Sequence, residues 1–211
     1  MKRCIIFTGG RPEPHLPDGL ELEGAYIIAA DSGYKNCKQL GAVPNLAVGD
    51  YDSLNFVPDD CEHITYPCEK DDTDLMAAVR EALRRGCGDI TILGAMGGRF
   101  DHTFANVQVL AFINSEGARG RILSCGEEIM LAGAGKYSVA RREGYSLSLF
   151  AYTQQVHGLT LRGVKYSLEN GEISANFPIG ISNEITAERA EISFTEAVDF
   201  CHHVIPPPSV F

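Results

Sequence analysis

The residues of this chain that could do chemistry are mostly acids, and they come in short clusters. Asp50 and Asp52 stand two apart in Gly49-Asp50-Tyr51-Asp52-Ser53, and Asp71, Asp72 and Asp74 crowd Glu69-Lys70-Asp71-Asp72-Thr73-Asp74. Two unit charges ~4 Å apart repel by about 1 kcal/mol in water, and several-fold more where water is partly excluded. Three or more carboxylates gathered at one place are therefore costly unless a cation joins them. Oxygen ligands with no Cys or His pair nearby select a hard ion, and Mg²⁺ keeping some of its waters fits best. Each cluster also has a plainer account: acids at a helix start complement its dipole, and Asp50 with Asp52 makes a solvated turn. Convergence of the two clusters favours the metal.

Glycines and cations extend the pattern. Gly94-Ala95-Met96-Gly97-Gly98 follows an apolar run and leads into Arg99-Phe100-Asp101-His102. Bare backbone N–H groups there can approach a phosphate near a helix N-terminus. The spacing is not G-x-G-x-x-G, so dinucleotide binding is weakly supported. Gly133-Ala134-Gly135-Lys136 ends like a phosphate loop, but Met130 and Tyr137 occupy the positions that need Gly and Ser or Thr. Lys70 and Arg99 sit inside the acid and glycine clusters, where an ammonium or a guanidinium fork can hold phosphate oxygens. His102 and Asn106 are one helical turn apart and would share a face.

These side chains need a frame. Cys4–Phe7, Tyr26–Ala30, Leu46–Val48, Ile64–Tyr66, Ile90–Leu93 and Arg121–Ser124 are short apolar runs bounded by Gly, Asp or Pro, which predicts buried strands. Between them, helices are expected over 34–40, 73–85 and 103–113, the second with Leu75, Val79, Ala82 and Leu83 on one face. Alternation of strand and helix predicts an α/β domain, a mostly parallel sheet in α/β/α layering. Ligands of such sheets bind at the carboxyl ends of the strands, and four successive strand ends here carry acids, glycines or both. Beyond Gly126 the pattern becomes short alternating strands, predicting an all-β, sandwich-like second domain. The expected domains are residues 1–126 and 127–211. The tail from His202, with Pro206-Pro207-Pro208, is expected to lie outside any ladder.

Composition bounds the function. A formal net charge of −10 argues against nucleic acid as a partner, since phosphate backbones need clustered Lys and Arg. No stretch reaches the ~20 apolar residues that span a membrane, and nothing resembles a signal peptide, so a cytoplasmic location is expected. Seven cysteines without a C-x-x-C pair argue against a disulfide framework and against structural zinc.

Taken in order, Asp31-Ser32-Gly33, the Gly49–Ser53 and Glu69–Asp74 strings, Gly97–His102 with Asn106, Gly163-Val164-Lys165-Tyr166-Ser167-Leu168 and Gly180-Ile181-Ser182-Asn183-Glu184 resemble the motif series of thiamine pyrophosphokinases. The resemblance implies transfer of a diphosphate from ATP to the hydroxyl of thiamine, giving thiamine diphosphate and AMP. It implies Mg²⁺ held by Asp50, Asp52 and Asp74, with Asp31, Lys70, Thr73, Arg99, Asp101, His102 and Asn106 around the nucleotide and the transferring phosphates. Tyr166 and Ser182 match positions that hold the thiamine ring system. A homodimer with active sites between subunits is also implied. Asp74 and Asp101 are both candidates to orient or deprotonate the hydroxyl, and the sequence does not choose between them.

Overall fold

A computed structural model of the protein describes residues 1–69, 71–195 and the backbone of residues 200–205. The chain divides after Cys125 into two compact units.

The first unit runs β1 (Lys2–Phe7), β2 (Tyr26–Ala30), α1 (Gly33–Gln39), β3 (Leu46–Gly49), β4 (Glu62–Thr65), α2 (Asp74–Arg84), β5 (Cys87–Leu93), α3 (Phe100–Ser115) and β6 (Arg119–Leu123). Its six strands lie in the order β4-β3-β2-β1-β5-β6, every neighbouring pair parallel. Ile6, Ile28, Leu46, Ile90 and Ile92 are fully buried, as expected of strands covered on both faces. Alternation splits the layers: Ile5, Phe7, Ile27 and Ala29 pack with Cys37 of α1, while α2 lies against β1, β2, β3 and β5. The chain walks outward from β1 to β4, then returns through α2 to place β5 on the other flank of β1. That reversal opens a crevice at the carboxyl ends of β1 and β5, where an open α/β sheet binds its ligands.

Helix α2 follows its sequence signals. The Thr73 hydroxyl caps it by accepting from the Met76 N–H at 3.2 Å, and Leu75, Ala78, Val79 and Ala82 are buried. Helix α3 starts at Phe100, ahead of the expected Thr103, because Arg99 is extended and turns the chain directly into the helix. Asp101 thus sits within the first turn, where the dipole favours its charge.

The second unit is antiparallel β: β7 (Glu128–Ala132), β8 (Gly135–Ala140), β9 (Ser146–Ala151), β10 (Gln155–Arg162), β11 (Leu168–Ser174), β12 (Asn183–Glu184), β13 (Arg189–Phe194) and β14 (Phe200–Ile205). The strands form the runs β12-β9-β14-β7 and β11-β10-β13-β8. Leu147 and Leu149 of the first run pack in one core with Val156, Leu159, Leu161, Ile192 and Phe194 of the second, as a sandwich requires. One expectation is corrected. His202 and His203 belong to β14, whose backbone pairs with β7 and β9. The prolines begin only at 206, so they do not interrupt the ladder before Ile205; residues 206–211 lie outside the described residues.

Candidate active site

A cavity of about 730 Å³ occupies the crevice at the carboxyl edge of the first unit's sheet. That is within the range of sites that enclose a small ligand. Thr8 to Gly10 enter it after β1, Asp31 and Ser32 after β2, Asp50, Asp52 and Ser53 after β3, and Gly94 to Met96 after β5. Asp72, Thr73 and Asp74 reach it from the start of α2, and Arg99, Asp101, His102 and Asn106 from the start of α3. Lys70 lies outside the described residues. Asp31, Asp50, Asp52, Thr73, Asp74, Arg99, Asp101, His102 and Asn106 therefore line one cavity, while Asp71 and Gly97 of the same clusters do not.

The acids are held by unusual backbone. Asp31 has φ 44° and Tyr51 has φ 61°, a left-handed region that favours glycine. At Tyr51 the turn is fixed by burial of the ring and by its hydroxyl, which donates to the Ile64 carbonyl at 3.2 Å. Asp50 and Asp52 flank it, and one ligand atom from each, with Cys68 Sγ, lie within 4.8 Å of one another. Asp74 lines the same cavity outside that compact group. Asp31 is buried, and its Oδ1 has no hydrogen-bond partner. It stands beside Gly49, where a Cβ would lie 3.0 Å from the Asp31 Cα, so a side chain at 49 would press on it. A buried carboxylate oxygen left unpaired is expensive. Paired carboxylates with such an oxygen in the same cavity fit a hard divalent cation such as Mg²⁺. Cys68, which was not singled out in the sequence, stands beside Asp50 and Asp52. Its signal was available only as its place just before Glu69 in the acid motif.

The glycine turns are pinned from below. A Cβ at Gly10 would fall 2.1 Å from the Gly94 carbonyl, so the turns after β1 and β5 touch through bare backbone. The Thr8 hydroxyl donates to that carbonyl at 2.6 Å, and the buried Asn36 amide donates to the Thr8 carbonyl at 2.7 Å and the Gly10 carbonyl at 3.3 Å. Asn106 donates to the Ala95 carbonyl at 2.8 Å, so its amide anchors the Gly94–Gly98 turn. Thr8 and Asn36 were not singled out in the sequence, because a lone Thr after a strand and one Asn in a short helix carry no pattern. Arg99 closes its fork on Asp101, Nε to Oδ1 at 3.1 Å and Nη2 to Oδ2 at 2.5 Å. That contact holds the Asp101 carboxyl below its ordinary value.

In the second unit, Tyr166 is exposed and its backbone is clamped by Asn183, which accepts from the Tyr166 N–H at 3.0 Å and donates to its carbonyl at 2.8 Å. Ser182 has φ 55°, and its N–H donates to the Ser148 hydroxyl at 3.0 Å. The Lys165 ammonium lies 5.9 Å from the Tyr166 ring centre, a reach at which a cation is attracted to an aromatic face.

A doubly wound sheet with acids and glycine turns at its switch point places the protein among α/β proteins built to hold a phosphate-bearing ligand. Comparison with known proteins narrows the class. Residues 20–119 match the catalytic-domain model of thiamin pyrophosphokinase, and residues 136–198 match the model of its vitamin B1 binding domain. The thiamine pyrophosphokinase of Bacillus subtilis (strain 168) is 31% identical over 210 residues, covering 94% of this chain and 96% of that protein. A crystal structure of the Bacillus subtilis enzyme superposes with a TM-score of 0.86 at 28% identity, covering 98% of this chain and 99% of that one. A thiamin pyrophosphokinase family protein from Enterococcus faecalis gives 0.83 at 30%, covering 99% and 100%. The chain belongs to the thiamine pyrophosphokinase family.

Proposed function

We propose that the protein transfers the diphosphate of ATP to the hydroxyl of thiamine, releasing AMP. The observation that carries this reading is full-length similarity to a thiamine pyrophosphokinase, together with an acid-lined, glycine-floored cavity at the switch point. The hydroxyl oxygen attacks the β-phosphorus, the bond from that phosphorus to the oxygen bridging to the α-phosphate breaks, and AMP leaves carrying the electron pair. Such a reaction needs positioning and charge neutralisation more than covalent help.

Asp50, Asp52 and Asp74 would hold the Mg²⁺, which supplies charge neutralisation at the diphosphate oxygens when bound. The backbone N–H groups of the Gly94–Gly98 turn face the phosphates, and Arg99 and Lys70 provide their cations. Asp31, Thr73, His102 and Asn106 line the nucleotide's place. A carboxylate within hydrogen-bond reach of the hydroxyl orients it or takes its proton, and Asp74 and Asp101 are the two candidates. In the second unit, the face of Tyr166 suits the cationic thiamine ring and Ser182 offers it a hydroxyl.

The working form in this reading is a homodimer. Phe100 and Phe104, exposed and 6.2 Å apart on α3, are apolar surface that a second copy would cover. In this reading the protein works in the cytoplasm, where ATP is at hand. Among the described residues, no helix is long and apolar enough to cross a membrane.

Incubation with ATP, Mg²⁺ and thiamine, with nucleotides separated afterwards, tests the reading. Thiamine-dependent AMP is expected. ADP instead would indicate a simple kinase, and thiamine-independent phosphate release a hydrolase; either sinks it. Light scattering during size exclusion tests the dimer.

A further inference from the structure

Asp31, Asp50, Asp52, Asp72, Asp74 and Asp101 line the cavity, and among the described residues Arg99 is the one Lys or Arg that lines it with them. The Arg99 fork is already closed on Asp101. A nucleotide polyphosphate entering here meets like charge, and a divalent ion offsets only part of it, so a further cation at the edge would stabilise the complex. The strap between β1 and β2 holds one there. The Arg11 N–H donates to the Met96 carbonyl at 3.2 Å. Its stem lies on Gly97, φ 75°, where a Cβ would come 2.9 Å from the Arg11 Cδ and 3.0 Å from the Arg11 Cβ. Arg11 and Gly97 do not line the cavity, but Gly10, Met96 and Gly98 beside them do, so the arginine stands at its edge. Arg11 is exposed, and among the described residues no carboxylate pairs with its guanidinium.

The strap is fixed on both sides of that arginine. Ahead of it, Gly10 meets the Gly94 carbonyl through bare backbone. Behind it, the buried Glu13 accepts from the Cys125 N–H at 2.9 Å through Oε2, which ties the strap to the chain just past β6. Pro12 and Pro14 fix two further φ angles. A cation on such a backbone, with glycine beneath it and no acid to give up, loses little on meeting an anion. Its planar fork matches phosphate oxygens. We propose that Arg11 binds the polyphosphate of the nucleotide at the edge of the cavity, turning its guanidinium across Gly97 and Gly98 toward the phosphate chain. The choice of ATP as that nucleotide rests on the function proposed above; the site for the phosphates does not.

The test is isothermal titration calorimetry on the full-length protein with Mg²⁺. Its probes are the ATP analogue with a methylene in place of the α,β-bridging oxygen, inorganic tripolyphosphate, and adenosine. Arg11→Met keeps a stem on Gly97 and removes the charge. It is expected to weaken the analogue and tripolyphosphate by about tenfold or more, the scale of losing one charge-assisted hydrogen bond, and to leave adenosine unchanged. Arg11→Lys should recover part of the loss, because an ammonium keeps the charge without the fork. Arg11→Gln repeats the comparison with a neutral polar stem, and melting curves of all the variants should coincide with the wild type. Equal affinity of wild type, Arg11→Met and Arg11→Gln for the analogue overturns the proposal. So does an equal loss for adenosine, which would make the arginine a support for the glycine turn. A wild type that forms no thiamine-dependent AMP would instead reject the proposed function, and the titrations would still decide Arg11.

Discussion

Arg99 holds Asp101 through both oxygens of the carboxylate, two residues apart at the mouth of α3, and both side chains are largely exposed. An exposed pair contributes little to stability, so its geometry is better read as a cation kept in position for an incoming phosphate. Arg99→Ala is expected to leave the thermal midpoint unchanged while kcat falls about 100-fold, the scale of losing one preorganised donor to developing charge. Arg99→Lys should recover only part of it, since an ammonium lacks the fork. Steady-state kinetics beside a melting curve check both; a lowered midpoint in Arg99→Ala would assign the pair to structure.

Asp50 and Asp52 bring one ligand atom each within 4.8 Å across the Tyr51 turn, and the Asp50 Oδ1 accepts from the Asp52 N–H at 3.2 Å. Asp50→Asn and Asp52→Asn should abolish turnover and weaken Mn²⁺ binding measured by electron spin resonance. The metal-free variants should melt no lower than the wild type, because one of two mutually repelling charges is gone. Chelator should silence the wild type and added Mg²⁺ restore it. Normal turnover in either variant at modest Mg²⁺ would remove these residues from the metal site.

The buried Asn36 amide ties the turn after β1 through Thr8 and Gly10. Asn36→Ala leaves those carbonyls short of a donor, at a cost of about 1–3 kcal/mol. In a chain of this size that corresponds to a midpoint roughly 2–10 °C lower. Because Gly10 touches the Gly94 turn, KM for ATP should rise more than kcat falls. Differential scanning calorimetry and nucleotide titration separate the two effects.

The strands that carry the site were legible because parallel strands buried on both faces read as unbroken apolar runs, and their polar ends follow at once. Ile90–Leu93 running into Gly94 is an instance. What was hidden depends on folding. The left-handed backbone at Tyr51 has no signature in an aromatic residue, since only burial of the ring and its bond to the Ile64 carbonyl hold it there. Cys68 reaches Asp50 and Asp52 only through the turn after β4, which no local pattern encodes. Strand β14 was masked by the prolines that follow it, although Val204 and Ile205 are good strand formers.

Glu81 on α2 accepts from Arg84 at 2.7 Å and lies 3.5 Å from the Arg85 Nε, and the Arg84 fork holds its carboxyl below the ordinary glutamate value of 4.5. A depressed folded value means that the pair's contribution is complete above the unfolded value and is lost as pH falls through the folded one. Stability relative to Glu81→Gln should therefore be highest near neutrality and shrink once the pH drops below about 4.5. Melting curves of both proteins between neutral and acid pH check the sign. A difference that grows in acid would refute the assignment.

Tyr51 separates the positioning of the acids from their charge. Burial pushes its hydroxyl up to about 12, so it takes no part in proton transfer at neutral pH. Its hydroxyl instead ties the loop between Asp50 and Asp52 to the Ile64 carbonyl on β4. Tyr51→Phe keeps the ring and loses the bond, which should cost about 0.5–1.5 kcal/mol and loosen the metal only slightly. Tyr51→Ala removes the ring as well, at about 3–5 kcal/mol on the scale of large-to-small core changes. It frees the left-handed turn to relax, so the two carboxylates part. Mn²⁺ affinity should follow the order wild type, Tyr51→Phe, Tyr51→Ala, with the pH profile of the rate unmoved in Tyr51→Phe. A shifted basic limb in that variant would show the hydroxyl acting as an acid or base, and equal Mn²⁺ affinity in all three would show that the ring does not aim the acids.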